Sequence, residues 1–169
     1  NRELQFTNAD IRDANALDII FKNFKPEAVI HFAGLKAVGE SVVDPLMYYD
    51  VNVGGSISLL AAMSKVGCDN IVFSSSATVY GEPQYLPYDE EHPTNPVNPY
   101  GRTKLMVENI ISDWVKVDLK RKGTILRYFN PVGAHESGQI GENPIGVPNN
   151  LMPYIAQVAD GRREHLNIF

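Results

Sequence analysis

A tyrosine and a lysine lie four residues apart in the segment Asn98-Pro-Tyr-Gly-Arg-Thr-Lys104. Pro99 suits the first position of a helix, so Tyr100 falls in the first turn and Lys104 lies one turn later on the same face. An ammonium within about 4 to 6 Å and the positive end of a helix both lower the pKa of a phenol, which is ordinarily near 10. The spacing therefore predicts that Tyr100 acts as a base and that Lys104 acidifies it.

A serine run, Ser74-Ser-Ser76, ends an apolar segment upstream of this pair. The hydroxyl of Ser76 could share the proton that leaves a substrate alcohol, as oxidation of an alcohol to a ketone requires. No side chain accepts a hydride, so this chemistry also needs a nicotinamide or a flavin. Spacing alone is equally met by a packed aromatic ring beside a solvated lysine, and it leaves that alternative open.

The composition limits the classes of partner. The chain has 169 residues, of which 44% are hydrophobic, and this is enough for one sizeable core in a soluble globular unit. The net charge is −5 and no run is rich in Lys or Arg, so we expect no nucleic-acid partner. No stretch reaches the roughly 18 apolar residues of a membrane-spanning helix, so we expect no membrane partner.

Cysteine and histidine usage points away from disulfides and metals. Cys68 is the single cysteine, so it forms no internal disulfide, and we predict a cytoplasmic protein in which Cys68 is a small buried hydrophobe. The four histidines share no metal-ligand spacing, and we predict no metal site. His31 lies in an apolar strand and is predicted to be a hydrogen-bonded core imidazole.

Strand and helix patterns alternate along the chain. Strands are predicted at residues 4–9, 28–32, 70–75 and 124–128, and helices at 15–24, 45–65, 99–122 and 150–160. The apolar run 28–32 is predicted to be buried on both faces. This alternation predicts an α/β fold with a parallel, doubly wound sheet and right-handed crossovers, in which ligands bind at the carboxyl ends of the strands. Residues 32–36, 74–76 and 128–130 all lie at such ends.

Four segments in this order resemble the UDP-glucose 4-epimerase family of extended short-chain dehydrogenase/reductases. They are His31-Phe-Ala-Gly-Leu-Lys-Ala-Val-Gly-Glu40, Phe73-Ser-Ser-Ser-Ala-Thr-Val-Tyr-Gly81, Asn98-Pro-Tyr-Gly-Arg-Thr-Lys104 and Leu126-Arg-Tyr-Phe-Asn-Pro-Val-Gly-Ala-His135. The resemblance implies that Ser76, Tyr100 and Lys104 are catalytic. It also implies NAD as cofactor and interconversion of UDP-glucose and UDP-galactose by transient oxidation at sugar carbon 4, through a 4-keto intermediate.

The glycine-rich dinucleotide fingerprint of such folds does not occur in the sequence. The resemblance implies that the chain begins at the third strand of a Rossmann-like fold. We therefore expect an interior fragment that lacks the N-terminal βαβ unit and the C-terminal substrate domain. Residues 1–130 would form the C-terminal part of the NAD-binding domain with the catalytic helix, and residues 131–169 the start of the substrate-binding region. Such a segment alone is expected neither to fold cooperatively nor to bind dinucleotide.

The resemblance also implies a set of cofactor contacts. Asp10 would accept a hydrogen bond from the adenine amine and Ile11 would pack on the ring, although Asp10 equally suits a helix N-cap. Asn52, in an apolar helical run, would steady the backbone of the site. The full set of predicted NAD contacts is Asp10, Ile11, Phe32, Ala33, Gly34, Leu35, Lys36, Asn52, Tyr100, Lys104, Tyr128 and Phe129.

The implied substrate contacts lie mostly near the end of the chain. A helix beginning near Asn150 offers free N–H groups to a diphosphate, although an Asn there is also a common cap. The predicted substrate contacts are Ser76, Asn130, Asn150, Leu151, Asn167, Ile168 and Phe169. The resemblance further implies a homodimer in the full-length protein, joined through the two long helices.

Two rival functions are weighed from the residues that follow the serine run. Related sugar-nucleotide 4,6-dehydratases carry Asp-Glu directly after the active-site hydroxyl, whereas this chain has Ala77 and Thr78. Related decarboxylases place a Glu at the position of Thr78. Another NAD-dependent sugar-nucleotide epimerase or dehydratase is the nearest alternative. A non-catalytic nucleotide-sensing protein on the same fold is the second, but such proteins typically lose the Tyr or the Lys. Acceptance of N-acetylated UDP-sugars is left open.

Overall fold

A three-stranded parallel sheet forms the centre of the computed structural model, which describes residues 4–148 and 150–166. Strands β1 (Val29–His31), β2 (Asn70–Ser76) and β3 (Lys122–Tyr128) lie in the order β1-β2-β3. His31 is paired with Phe73, and Ser76 with Tyr128. All three strands therefore end at the same edge, and the predicted Rossmann-like α/β fold is confirmed.

Helices precede, connect and follow these strands along the chain. They are α1 (Ala14–Phe24), α2 (Val38–Val43), α3 (Pro45–Tyr48), α4 (Gly55–Val66), α5 (Pro99–Lys116) and α6 (Leu151–Ala159). Side-chain caps fix several starts: Asp13 accepts hydrogen bonds from the first-turn amides of α1, and Asp44 accepts one from Met47 in α3. Helix α4 ends at Gly67, whose φ of 71° is the left-handed conformation that glycine adopts at low cost.

A π-helical stretch, Tyr49–Gly54, joins α3 to α4. The sequence predicts one continuous helix over residues 45–65, and the structure instead interrupts it for six residues. Single π turns of this kind occur often at functional sites. This one contains Asn52, which is buried there.

Four details of the predicted elements are wrong. Residues 4–9 form no strand, because no described strand lies beside them to complete a ladder, and Leu4 and Phe6 are exposed. Strand β1 is not buried on both faces, since Ile30 at the edge of the sheet is 65% exposed. Helix α5 ends at Lys116, not near residue 122, because Lys122 already donates to the carbonyl of Asp69 at 2.8 Å and starts β3. Helix α2 is not predicted from the sequence.

The hydrophobic core lies between the sheet and helices α1, α4 and α5. It is made of Leu17, Phe21, Leu59, Leu60, Ala62, Met63, Cys68, Ile71, Phe73, Val107 and Ile111. Cys68 is buried as predicted, and that burial raises the pKa of its thiol. The core holds α5 against β2, and α5 is the helix that carries Tyr100 and Lys104.

The chain divides into two compact units, Asn1–Tyr128 and Phe129–Phe169. The second unit contains α6, in which Pro153 and Gln157 are buried. Arg163 donates from Nε to Gln157 at 2.6 Å, and its guanidinium lies 4.9 Å from the ring centroid of Tyr154. No helix in the described part of the chain combines the length and the hydropathy needed to cross a membrane.

Candidate active site

The start of helix α5 places Tyr100 and Lys104. The Oδ1 of Asn98 accepts a hydrogen bond from the amide of Gly101 at 2.8 Å, and Pro99 occupies the first turn. One turn separates the two side chains, and the Lys104 Nζ lies 5.8 Å from the centroid of the Tyr100 ring. The prediction that both side chains share one helix face is confirmed.

Lys104 is buried between the helix and the sheet, with 7% of its surface exposed. Its Nζ donates to the carbonyl of Ser74 at 2.9 Å and lies 5.0 Å from the centroid of the Phe73 ring. Burial lowers the pKa of Lys104 to about 8, because desolvation disfavours the charged form. The side chain is therefore still an ammonium at neutral pH.

Ser76 is the last residue of β2, and its half-buried hydroxyl faces Tyr100. The Ser76 Oγ accepts from the Thr78 amide at 3.2 Å and from the Thr78 hydroxyl at 2.9 Å. Its own proton is then available to the Tyr100 oxygen, with which it forms a hydrogen-bond interaction that lowers the pKa of Tyr100. Serine, phenol and ammonium thus meet at the carboxyl end of β2.

The net effect on Tyr100 runs against the sequence-based prediction. Burial raises the pKa of Tyr100 above its ordinary value, and the Ser76 hydroxyl offsets only part of that rise. Lys104 is not among the groups that lower the pKa of Tyr100, and its ammonium donates to the Ser74 carbonyl. The prediction that Lys104 acidifies Tyr100 is wrong for the structure as described, and the hydroxyl that favours phenolate is that of Ser76.

Asn52 connects the loop after β1 to the catalytic helix. Its Oδ1 accepts from the Leu35 amide at 2.8 Å, and its Nδ2 donates to the Leu35 carbonyl and to the Thr103 hydroxyl, each at 3.1 Å. Thr103 in turn donates to the carbonyl of Tyr100 at 2.7 Å. The predicted role of Asn52 in steadying the backbone of the site matches these contacts.

The same loop approaches Lys104 closely at Gly34. Gly34 has a φ of +153°, and a Cβ there would lie 3.0 Å from Asn52 Oδ1 and 4.0 Å from Lys104 Nζ. A side chain at this position would fill the space between the loop and the ammonium. Phe32, Ala33 and Lys36 are exposed around it, so residues 32–36 and Lys104 border one region.

His31 is a buried imidazole with a hydrogen-bond partner in the core. Its Nε2 is 2.8 Å from the Ser56 hydroxyl, and it acts as the donor because Ser56 gives its own proton to the Asn52 carbonyl. Burial, followed by the charge of Lys104, lowers the pKa of His31 to about 4. The prediction of a hydrogen-bonded core imidazole is confirmed. Among residues 4–148 and 150–166, no three His, Cys, Asp or Glu side chains are grouped to hold a metal ion.

Asp10 and Ile11 have local partners in the structure. Arg12 binds the Asp10 carboxylate at 2.6 Å, and these hydrogen bonds lower the pKa of Asp10 to about 2. The N-cap of α1 is Asp13, so Asp10 does not fill the capping role that the sequence left open. Ile11 packs against Gly55. Their contact with adenine remains a prediction.

The other predicted contacts lie at the end of β3 or beyond it. Tyr128 is paired with Ser76 across the sheet and is partly exposed. Phe129, Asn130, Asn150 and Leu151 belong to the second unit, where the Asn150 Nδ2 donates to Glu142 at 3.3 Å. Asn167, Ile168 and Phe169 lie outside the described residues. All of these remain predictions as ligand contacts.

Sequence reasoning missed two hydroxyls and a carbonyl of the site. They belong to Thr78, Thr103 and Ser74. A signal existed for Thr103, because a threonine inside a helix commonly donates to a carbonyl three or four residues earlier. The carbonyl of Ser74 carries no signal in the sequence, since any residue at that position supplies one.

A family model described as GDP-mannose 4,6 dehydratase matches residues 1–169, the whole chain. The chain belongs to this family. Its relatives include UDP-glucose 4-epimerase 2 of Arabidopsis thaliana, which is 60% identical over 98% of the chain and 47% of the relative. UDP-glucose 4-epimerase of Homo sapiens is 59% identical over 99% of the chain and 49% of the relative.

Solved structures that are similar to this chain show the same fold. UDP-glucose 4-epimerase from Bifidobacterium longum, in complex with NAD+ and UDP, superposes with a TM-score of 0.89 at 49% identity, over 96% of this chain and 49% of that one. The resemblance to UDP-glucose 4-epimerases found in the sequence is thereby confirmed. The chain spans about half the length of the curated relatives it matches.

Proposed function

We propose that the full-length protein is an NAD-dependent UDP-glucose 4-epimerase, an isomerase that interconverts UDP-glucose and UDP-galactose. The observation that carries this proposal is the meeting of Ser76, Tyr100 and Lys104 at the carboxyl end of β2. That end is where parallel α/β sheets bind ligands. The identities of about 60% to UDP-glucose 4-epimerases supply the substrate class.

The residues of this chain fit a nicotinamide dinucleotide. An ammonium carries three donors, and the described residues take up one of those of Lys104, at Ser74. Gly34, which has no Cβ, lets the backbone of the loop come close to that ammonium, whereas a Cβ would lie 3.0 Å from Asn52 Oδ1 and 4.0 Å from Lys104 Nζ. Lys104 and residues 32–36 would hold the ribose and the nicotinamide, with Asp10 and Ile11 at the adenine and Tyr128 and Phe129 by the ring. When bound, NAD accepts a hydride from sugar carbon 4 and returns it.

Tyr100 and Ser76 would handle the proton of the reaction. As the C4–H bond breaks, the phenolate form of Tyr100 takes the 4-hydroxyl proton, and the Ser76 hydroxyl, held by Thr78, bridges the sugar oxygen and the phenolic oxygen. Tyr100 keeps the proton while the 4-keto sugar turns about its diphosphate linkage. It returns the proton to the oxygen once carbon 4 has been reduced from the other face. The configuration is inverted and no net oxidation occurs.

Dehydration is disfavoured by the residues next to Ser76. Loss of water from a 4-keto sugar requires an acid and a base near sugar carbons 5 and 6. Here Ala77 carries no polar group, and the Thr78 hydroxyl is engaged with Ser76 at 2.9 Å. The match to a family described as a dehydratase is therefore not accompanied, at positions 77 and 78, by the carboxylates that elimination requires.

The remaining assignments follow from the same proposal. Asn130, Asn150 and Leu151, with Asn167, Ile168 and Phe169, would contact the UDP-sugar. In the described residues the Asn150 side chain does not cap α6, which supports free N–H groups for a diphosphate. We further propose the division into a cofactor part, residues 1–130, and a substrate part, residues 131–169. A homodimer and a cytoplasmic location complete the proposal.

Conversion of UDP-galactose by the full-length protein with NAD tests this function. The products are followed by NMR, which separates UDP-glucose from a 4-keto-6-deoxy sugar. Accumulation of UDP-glucose to a fixed ratio from either starting sugar is expected. Release of the 4-keto-6-deoxy product would indicate a dehydratase. Binding of the UDP-sugar with no conversion would indicate a nucleotide-sensing protein.

A further inference from the structure

A buried carboxylate on the catalytic helix has no place in the mechanism above. Glu108 lies on α5 one turn beyond Lys104, on the same face, and is 4% exposed. Its Oε1 accepts a hydrogen bond from the Ser75 hydroxyl, and its Oε2 accepts one from the Arg127 Nη2 at 2.8 Å. We refer to Ser75, Glu108 and Arg127 as the Glu108 cluster.

The two partners of Glu108 lie opposite each other in the sheet. Ser75 in β2 is paired with Arg127 in β3, so both side chains leave the sheet on the same face, towards α5. Arg127 binds both carboxylate oxygens, with its Nε 3.2 Å from each, and its guanidinium lies 4.9 Å from the centroid of the Tyr80 ring. One carboxylate therefore joins α5 to a pair of facing residues in two neighbouring strands.

The Glu108 cluster lies next to the reacting groups along both strands. Ser75 stands between Ser74, whose carbonyl binds Lys104, and Ser76, whose hydroxyl faces Tyr100. Arg127 directly precedes Tyr128, at the end of β3. A shift of α5 along the sheet would separate Tyr100 from Ser76, because the helix carries one and the strand carries the other.

The two charges of the Glu108–Arg127 ion pair neutralise each other. Hydrogen bonds to Glu108 raise the pKa of Arg127, whereas burial is the cause that lowers the pKa of Lys104. The Glu108 charge is thus taken up by Arg127, and Lys104 keeps its ammonium for other partners. A neutral residue at position 108 would leave Arg127 without its partner.

We propose that Glu108 and Arg127 are positioning residues that hold the Tyr100 phenol in register with the Ser76 hydroxyl. This role rests on the proposed epimerase function for its catalytic readout. Without the cluster, α5 remains a helix, held by the core through Val107 and Ile111. What is lost is the ion pair and the hydrogen bond that set the position of α5 along β3 and β2, which leaves the Lys104–Ser74 bond as the polar tie between α5 and β2 among the bonds described above.

Two conservative variants of the full-length protein test this role. Glu108→Gln keeps the size and one acceptor for Ser75 but removes the charge, and Arg127→Lys keeps the charge but removes the two-pronged geometry. Asp113→Asn is the matched control, since it removes an ion pair with Lys116 on the same helix, where the side chains are 78% and 75% exposed. Each protein is assayed for kcat, KM and Tm.

A second readout requires no turnover. The phenolate absorbance of Tyr100 is titrated as the difference between each protein and the same protein carrying Tyr100→Phe. In both cluster variants we expect kcat to fall about tenfold with KM within about twofold, and the titration to move to higher pH because the Ser76 interaction weakens. Asp113→Asn should change neither.

The outcomes separate this inference from the proposed function. A wild-type protein that does not epimerise would remove the proposed function, and the titration would still decide the role of the cluster. The inference would be overturned if the Tyr100 titration were unchanged and the lowered Tm alone explained any loss of kcat. Glu108 would then be merely structural. Should Glu108→Gln not fold, Arg127→Lys decides the question by the same two readouts.

Discussion

Asn52 and Leu35 are joined by two hydrogen bonds in opposite directions, of 2.8 Å to Asn52 Oδ1 and 3.1 Å from Asn52 Nδ2. The Asn52 side chain thus gives the loop after β1 a pair of hydrogen bonds of the kind that a neighbouring strand would supply. The third bond, to Thr103, ties that loop to α5. The position of the loop beside Lys104 therefore depends on one side chain.

Replacing Asn52 with Leu should release this loop. The variant keeps the volume but leaves the Leu35 amide and carbonyl without their partner, so we expect a loss of about 2 to 3 kcal/mol in the free energy of unfolding. Weaker NAD binding should accompany it. Denaturant unfolding and cofactor titration measure the two effects. Asn70→Ala is the control, because it removes one exposed bond to the Glu27 carbonyl and should cost no more than about 0.5 kcal/mol.

Replacing Tyr100 with Phe should remove the proton acceptor alone. We expect kcat to fall by a factor on the order of 10² or more with KM nearly unchanged, because the ring still packs while the oxygen is lost. Steady-state kinetics in both directions measure this. Tyr85→Phe, which loses only an exposed bond to Asp89, should keep full activity. Near-normal turnover in Tyr100→Phe would exclude Tyr100 as the base.

Burial of Lys104 should make stability depend on pH in the alkaline range. Its pKa is about 8 in the folded protein against an ordinary 10.5. Between these values the folded chain has released the proton and the unfolded chain still binds it, so stability rises with pH, by up to about 3 kcal/mol. Lys104→Met should flatten this rise in a series of Tm measurements. The same rise of Tm with pH in Lys104→Met would show that Lys104 is not the group responsible.

Gly55 should tolerate no side chain. A Cβ there would overlap the side chain of Ile11, so Gly55→Ala should destabilise the protein by about 1 to 3 kcal/mol despite the higher helix propensity of alanine. Gly39, in α2, has open space where a Cβ would lie, with nothing within 4 Å, and Gly39→Ala should be neutral or stabilising by up to about 1 kcal/mol. Equal effects of the two substitutions on the free energy of unfolding, measured with denaturant, would show that Ile11 does not pack against Gly55.

Much of the site is predictable because local rules determine it. Pro99 and the Asn98 cap fix the start of α5, and helical spacing then places Tyr100 and Lys104 on one face. The end of β2 at Ser76 follows from the apolar run before it. These features depend on neighbours within about one helical turn, which a sequence displays directly.

Other features depend on partners that are distant in the sequence. A glutamate four residues after Lys104 resembles a solvated helix position, and its burial is decided by Ser75 and Arg127 on two separate strands. The raised pKa of Tyr100 depends on how deeply its ring is buried and on the Ser76 hydroxyl that offsets part of that rise. The end of α5 at Lys116 is likewise set by the bond from Lys122 to Asp69, which starts β3 early.

The π-helical stretch Tyr49–Gly54 has a consequence for changes in chain length. A π turn holds one residue more than an α turn, so it takes up an extra residue without changing the phase of the helix that follows. Deleting one residue of the stretch, such as the exposed Asp50, would convert it to regular helix and leave the core residues of α4 facing the same way. Inserting one further residue that is not taken up in this way would instead turn α4 against α3 by about 100° and bury the wrong face. The stretch should therefore tolerate a shortening by one residue better than a lengthening by one.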